Sequence, residues 1–257
     1  MQHASAPLPW VQFALVLAVT VFWGMAISLF HHTRTAYVTA RRQLLSGALL
    51  ALCLCGVGRL RAWDAPGIAQ KMQQKYGAAA VQRLQGWFAL LQRLQGHQVQ
   101  QQMKAVNDFW NQQLLAEHDQ RLWGESDYWA TPFESLGRGA GDCEDFVIGK
   151  YFSLVRLGVP PQKMRLIYVR ARIGGPGSTQ SIAHMVLGFY EQPQSEPLVL
   201  DNLMGSISKA AERPDLTPVF SFDAEAVYVN GARSASSERI NRWQGVLARM
   251  REEGFDV

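Results

Sequence analysis

The sequence predicts one α+β domain behind an N-terminal export segment, and three patterns predict it. Apolar residues recur at three- and four-residue spacing from Asp64 to about Glu117; an apolar helical run from Phe146 to Leu157 ends in helix-stop residues; and from Arg165 to Val229 short apolar runs are cut by turn residues. Helices first, then a helix feeding antiparallel strands, is the order of an α+β fold and not of repeated βαβ units. At 257 residues with 48% hydrophobic and 18% charged content, the chain can bury one substantial core or two small ones, which excludes disorder.

Residues 1–62 carry Arg34, Arg41, Arg42, Arg59 and Arg61 and no Asp or Glu. Within the stretch 10–30, Val11 to Phe30 is apolar except for Gln12, Thr20 and Ser28, long enough to span a bilayer. In the stretch 38–58, the shorter run Leu44 to Val57 follows Arg41 and Arg42 and precedes small residues, as in a secretory signal peptide cut after Gly56-Val57-Gly58 or near Ala62. Two readings stay open: a signal peptide whose true start is Met25 or Val38, or a genuine spanning helix with the Arg-bearing loop in the cytoplasm. Both place residues 63–257, read as the functional domain, outside the inner membrane. The formal charge of +4 belongs to this segment, since the remainder holds 20 basic against 21 acidic residues. A nucleic-acid partner loses its support. Of three cysteines only Cys143 lies in the domain, which excludes a disulfide framework there.

Along the domain, Val81, Leu84, Trp87, Phe88, Leu91 and Leu94 define one helical stripe, and Val99, Met103, Val106 and Phe109-Trp110 continue it. The similar pieces Gln82-Arg83-Leu84-Gln85-Gly86 and Gln92-Arg93-Leu94-Gln95-Gly96 read as glutamine-covered solvent faces. Trp123 to Arg138 reads as an aromatic loop leading to Gly139-Ala140-Gly141-Asp142-Cys143-Glu144-Asp145. The helix after it stops at Gly158, with Pro160-Pro161 beyond. Strands are expected at Arg165–Ala171, Ile182–Tyr190, Pro197–Leu203 and Ala226–Val229, and a last helix at about Arg239–Met250.

The chemistry gathers at Cys143, where loop becomes helix. Asp142 fits an N-cap, and first-turn amides favour a thiolate. The flanking glycine and acids argue against a buried structural cysteine. The acids Asp142, Glu144 and Asp145 work the other way, raising the thiol pKa, so something must neutralise them. Three carboxylates in four residues suit Ca²⁺, although spacing alone also fits ordinary helix-start acids. His184, one of three histidines in the domain with His97 and His118, lies in an apolar strand, and Asp201 ends another apolar run. Each alone has a bland reading, a satisfied core histidine and a turn aspartate. Together with Cys143 they supply nucleophile, base and orienting carboxylate.

These residues resemble the bacterial transglutaminase-like cysteine proteinases. The likeness is carried by Asp127-Tyr128-Trp129-Ala130-Thr131-Pro132-Phe133-Glu134, Gly139 to Phe146, Ala183-His184-Met185-Val186-Leu187, Pro197 to Leu203, and Arg213-Pro214-Asp215-Leu216-Thr217-Pro218-Val219. It covers about Trp63 to Phe255. The resemblance implies a papain-like, transglutaminase-type core of N-terminal helices packed with an antiparallel sheet, and a Cys143–His184–Asp201 triad. It implies Ca²⁺ bound by Asp142 and Glu144, with Asp145 a weaker candidate. It also implies a periplasmic endopeptidase that cuts the N-terminal region of a large repeat-rich surface adhesin at a di-alanine site, releasing it and dispersing biofilm. Its implied inhibitor is the periplasmic domain of an inner-membrane cyclic-di-GMP receptor. Two other functions use the same residues: transglutaminase-type acyl transfer, and a non-catalytic periplasmic binding module.

Overall fold

A computed structural model describes residues 63–175, 177–237 and 240–257. The stretches read as membrane-spanning (10–30) and signal-peptide-like (38–58) lie outside them. Among the described residues no helix is long and apolar enough to cross a membrane.

The glutamine-rich region folds as three helices, α1 (Ala65–Tyr76), α2 (Ala78–Arg93) and α3 (Val99–Gln113). Asp64 caps α1 by accepting from the Gly67 amide. The apolar stripe turns inward as its spacing requires: Leu84, Trp87, Leu91, Leu94, Met103, Val106 and Trp110 are buried, while Gln82, Gln85, Gln92 and Gln95 face solvent. Gln102 departs from the pattern. It is buried and donates to the Leu94 and Leu157 carbonyls, acceptors at the ends of two helices.

Two-residue strands β1 (Leu115–Ala116) and β2 (Ala140–Gly141) pair in parallel, and between them lie a one-turn helix, α4 (Asp119–Leu122), and α5 (Pro132–Arg138). The expected loop from Trp123 to Arg138 therefore contains a helix. Its cause is a capping box, in which Thr131 Oγ1 accepts from the Glu134 amide and Glu134 accepts from the Thr131 amide, with Pro132 opening the first turn.

Helix α6 (Cys143–Arg156) is buried along most of its length. It passes so close to α3 that a Cβ on Gly149 would stand 2.5 Å from the Trp110 ring. Ser153 accepts from the indole nitrogens of both Trp87 and Trp110, so two fully buried tryptophans are satisfied by one hydroxyl. The predicted stop holds, with Gly158 at φ 90°.

Seven strands follow: β3 (Met164–Arg172), β4 (Ser181–Phe189), β5 (Leu198–Leu200), β6 (Ser208–Lys209), β7 (Leu216–Phe222), β8 (Ala226–Val229) and β9 (Ala232–Ser236). They form one antiparallel sheet in the order β6-β5-β4-β3-β7-β8-β9. Four strands stand near their predicted places, although β5 is only three residues long because the chain turns at Asp201. Strand β7 was hidden by Pro218, which discourages a strand reading; the structure accommodates it at a register shift against β3 between Tyr168 and Val169. The final helix, α7 (Asn241–Glu253), runs slightly later than expected. The main core joins the helices to one sheet face, and Ile167, Val169, Ala171, Val186 and Val199 form a smaller cluster.

Candidate active site

A cleft of about 390 Å³ opens where the N-terminus of α6 meets β4 and the chain leaving β5. Cys143, His184, Asp142, Glu144, Asp127 and Tyr168 are among its lining residues. Cys143 is the first residue of α6 and Asp142 its N-cap. The geometry depends on Gly141: the Asp145 carboxylate folds back to accept from the Asp142 amide, and a Cβ on Gly141 would lie 2.6 Å from Asp145 Oδ2.

One wall is a closed set of hydrogen bonds. His184, buried on β4, places Nε2 2.8 Å from Asp201 Oδ1, and Asp201 is buried just beyond β5. Asp201 also accepts from the Leu203 amide at 3.0 Å and from Arg213 Nη2 at 2.8 Å, and Arg213 binds Asp215 through Nε and Nη2. Burial pushes the Asp201 carboxyl up, but the bonds from His184, Leu203 and Arg213 outweigh it and leave it at about 2. Because an ionised carboxylate only accepts, His184 Nε2 must carry the hydrogen, which leaves Nδ1 as the acceptor nitrogen of the neutral ring.

The other wall is acidic. Asp119, Asp127, Asp142, Glu144 and Asp145 converge in overlapping groups: Asp142 and Glu144 with Cys143, Asp119 with Asp142 and Asp145, and Asp119 with Asp127 and Glu144, each within 4.8 Å. Burial, then the neighbouring Glu144 and Asp145 charges, pushes Asp142 up to about 10. Asp119 and Asp145 are raised, again chiefly by burial. The Cys143 thiol donates to Glu144 Oε2 at 3.0 Å, and burial followed by Glu144 pushes it well above the usual thiol range. The sulfur is half-buried, more enclosed than its flanking residues suggest.

The chain thus brings Cys143, His184 and Asp201 into one place and gathers Asp142, Glu144 and Asp145 beside the cysteine. Asp145 accepts at both oxygens, from the Ala130 and Asp142 amides, and stands with Asp119 and Asp142 in one group of carboxylates. Sequence reasoning missed Asp119, Asp127 and Arg213. Asp119 had no local signal, whereas Asp127 and Arg213 lay within quoted motif blocks without a role. Trp129 packs in the core, stacked on Phe222 at 5.8 Å, and does not line the cleft. Among the described residues, Asp119 Oδ1 and Asp142 Oδ1 are buried with no hydrogen-bond donor. Hard oxygen donors with unused lone pairs fit Ca²⁺, and Asp119, Asp142 and Glu144 would hold it, with Asp127 at the edge.

Residues 89–214 match the family model of the bacterial transglutaminase-like cysteine proteinases. Among solved structures, Legionella pneumophila LapG is similar at 39% identity and a TM-score of 0.62, over 72% of this chain and 97% of that one. Its calcium-bound form is similar at 42% identity and a TM-score of 0.61, over 71% and 97%, and its EGTA-treated form at 38% and 0.63, over 72% and 97%. No curated protein matches. The cleft cysteine, its mixed helix and antiparallel-sheet frame and this coverage agree: the chain belongs to the bacterial transglutaminase-like cysteine proteinase family and is a LapG-like cysteine peptidase.

Proposed function

We propose that this protein is a calcium-dependent periplasmic endopeptidase that cuts the N-terminal region of a large surface adhesin at a di-alanine site, and so releases it and disperses biofilm. The observation that carries the reading is the position of Cys143, between the His184–Asp201–Arg213 relay and a cluster of carboxylates, in a chain similar to a protease that has been solved with calcium. The N-terminal stretches support export, and a periplasmic domain of an inner-membrane cyclic-di-GMP receptor is the proposed inhibitor.

In the proposed reaction the Cys143 proton moves to His184 Nδ1, and the sulfur attacks the scissile carbonyl carbon to form a C–S bond. The first-turn amides of α6 face the developing oxyanion. The C–N bond then breaks as His184 returns its proton to the leaving amine, and Asp201 holds the ring throughout. Water, losing a proton to His184, hydrolyses the thioester and restores the thiol. Bound among Asp119, Asp142 and Glu144, Ca²⁺ would supply the positive charge that keeps these carboxylates ionised and engages Glu144.

The test is incubation of the purified protein with the N-terminal region of a candidate adhesin from the same genome, with Ca²⁺ or excess EGTA, beside Cys143→Ala. Two fragments formed only with Ca²⁺ and intact Cys143 are expected. Full cleavage in EGTA would remove calcium, and an isopeptide adduct in place of fragments would assign acyl transfer.

A further inference from the structure

The outer face of the sheet carries a second cavity, of about 340 Å³, that shares no lining residue with the cleft. Strand alternation builds its floor: Met164, Leu166 and Tyr168 of β3 turn to the main core, while Arg165, Ile167 and Val169 turn the other way. With Val186 of β4 and Val199 of β5, they make an aliphatic surface. Val169 stands opposite His184 in the β3–β4 register, so the cavity lies against the strand that carries the triad histidine.

Two arginines line this apolar surface, and no acidic residue is among the described residues that do. Arg165 lies over the Tyr228 ring at 3.8 Å and the Tyr190 ring at 4.7 Å. Ring faces hold a cation in place but do not satisfy its in-plane N–H groups, and Arg165 Nε is buried with no hydrogen-bond partner. No described carboxylate pairs with this guanidinium. Arg213 is only 3% exposed. Its Nε and Nη2 are spent on Asp215 and Asp201, yet Nη1 is buried with no partner. A buried donor left unmade is costly, and two of them at one apolar cavity call for an acceptor from outside the chain. The two differ in kind. Asp201 and Asp215 already neutralise Arg213, which therefore offers a fixed N–H, whereas Arg165 offers an unanswered positive charge.

We propose that this cavity binds a small aliphatic carboxylate, with its chain on Ile167, Val169, Val186 and Val199, its head group on Arg165, and Arg213 Nη1 as a further donor. A planar guanidinium matches the two oxygens of a carboxylate. The volume and the lining, apolar side chains with a few polar groups, are those of a small-molecule site. The cleft, lined by Asp127, Asp142 and Glu144, repels the same anion, so the two cavities select opposite charges. The proposal stands independently of adhesin cleavage.

The test is isothermal titration of octanoate into the purified protein, with octanol and octylammonium as chain-matched controls. Octanoate should bind with a Kd of about 1 mM or tighter, and both controls about tenfold more weakly or not at all. Arg165→Met should lose octanoate affinity about tenfold without melting lower, since it removes a charge that no carboxylate answers. Should that variant unfold, Asn230→Asp decides: Asn230 is exposed at the cavity with φ 50°, a conformation that Asp also adopts, and the added carboxylate should weaken octanoate about threefold. Equal octanoate affinity in parent and variant would place the binding elsewhere on the chain and overturn the proposal, as would octanol binding as tightly as octanoate. A dimer in sedimentation that octanoate fails to dissociate would assign this face to a second copy of the chain and overturn it too.

Discussion

On the His184 wall of the cleft, Asp201 meets Arg213, His184 and a backbone amide; on the Cys143 wall, Asp119, Asp142, Glu144 and Asp145 chiefly meet one another. Both walls carry buried carboxylates, yet one aspartate is held at about 2 and another is pushed to about 10. The difference teaches what each wall needs. The first is neutralised by its own side chains and needs only to be folded. The second has Arg242 on Asp127 as a surface counter-charge, and its enclosed oxygens Asp119 Oδ1 and Asp142 Oδ1 have no hydrogen-bond donor.

The largest expected effect comes from breaking the self-sufficient wall. Asp201→Asn should reduce the rate of peptide cleavage by about 10³–10⁴-fold through loss of the productive tautomer. It should also destabilise the fold by about 3 kcal/mol, since Arg213 loses a buried partner; chemical denaturation measures this. The same change on the other wall should have the opposite sign for stability. Asp142→Asn in EGTA should raise the melting temperature by about 2–4 °C, while abolishing the gain that Ca²⁺ brings to the parent protein.

A smaller effect sharpens the comparison through pH. Asp142 is raised in the folded state, so the fold binds more protons than the unfolded chain and loses stability as pH rises from the ordinary carboxylate range towards about 10. Asp201 is lowered, so its contribution is present above the ordinary value and is lost as pH falls towards about 2. Scanning calorimetry in EGTA should therefore show lower stability at pH 8 than at pH 5, and added Ca²⁺ should raise the melting temperature more at pH 8. The smallest effect concerns α7, which lies beyond the residues matched by the family model. Arg249 donates to the Trp129 carbonyl and pairs with Glu134, while Tyr128, bonded to Glu134, donates its amide to Asp119. Arg249→Met should weaken calcium affinity by about tenfold with little change in the His184 wall; calorimetric titration with Ca²⁺ reads it.

What could be read from the sequence follows from how local each signal is. Cys143 and its flanking acids announce a helix start within four residues, and the alternation around His184 marks a strand, because both depend on neighbours in the chain. The cap at Thr131-Pro132-Phe133-Glu134 was equally local and supplied the helix in the expected loop. Asp119 and Arg213 were out of reach: the first joins the acidic wall, 23 residues before Asp142, through the β1–β2 pairing, and the second reaches back to Asp201 from beyond β6.

Cys143 stands between the two walls, its thiol held by Glu144, and a cation that engaged that carboxylate would release it. The most direct measurement is the rate at which iodoacetamide alkylates Cys143, followed across pH by mass spectrometry of the peptide that contains it, in Ca²⁺ and in EGTA. Faster alkylation with Ca²⁺, with the thiol titrating at lower pH, is the predicted result. Identical rates and titrations in the two conditions would contradict it.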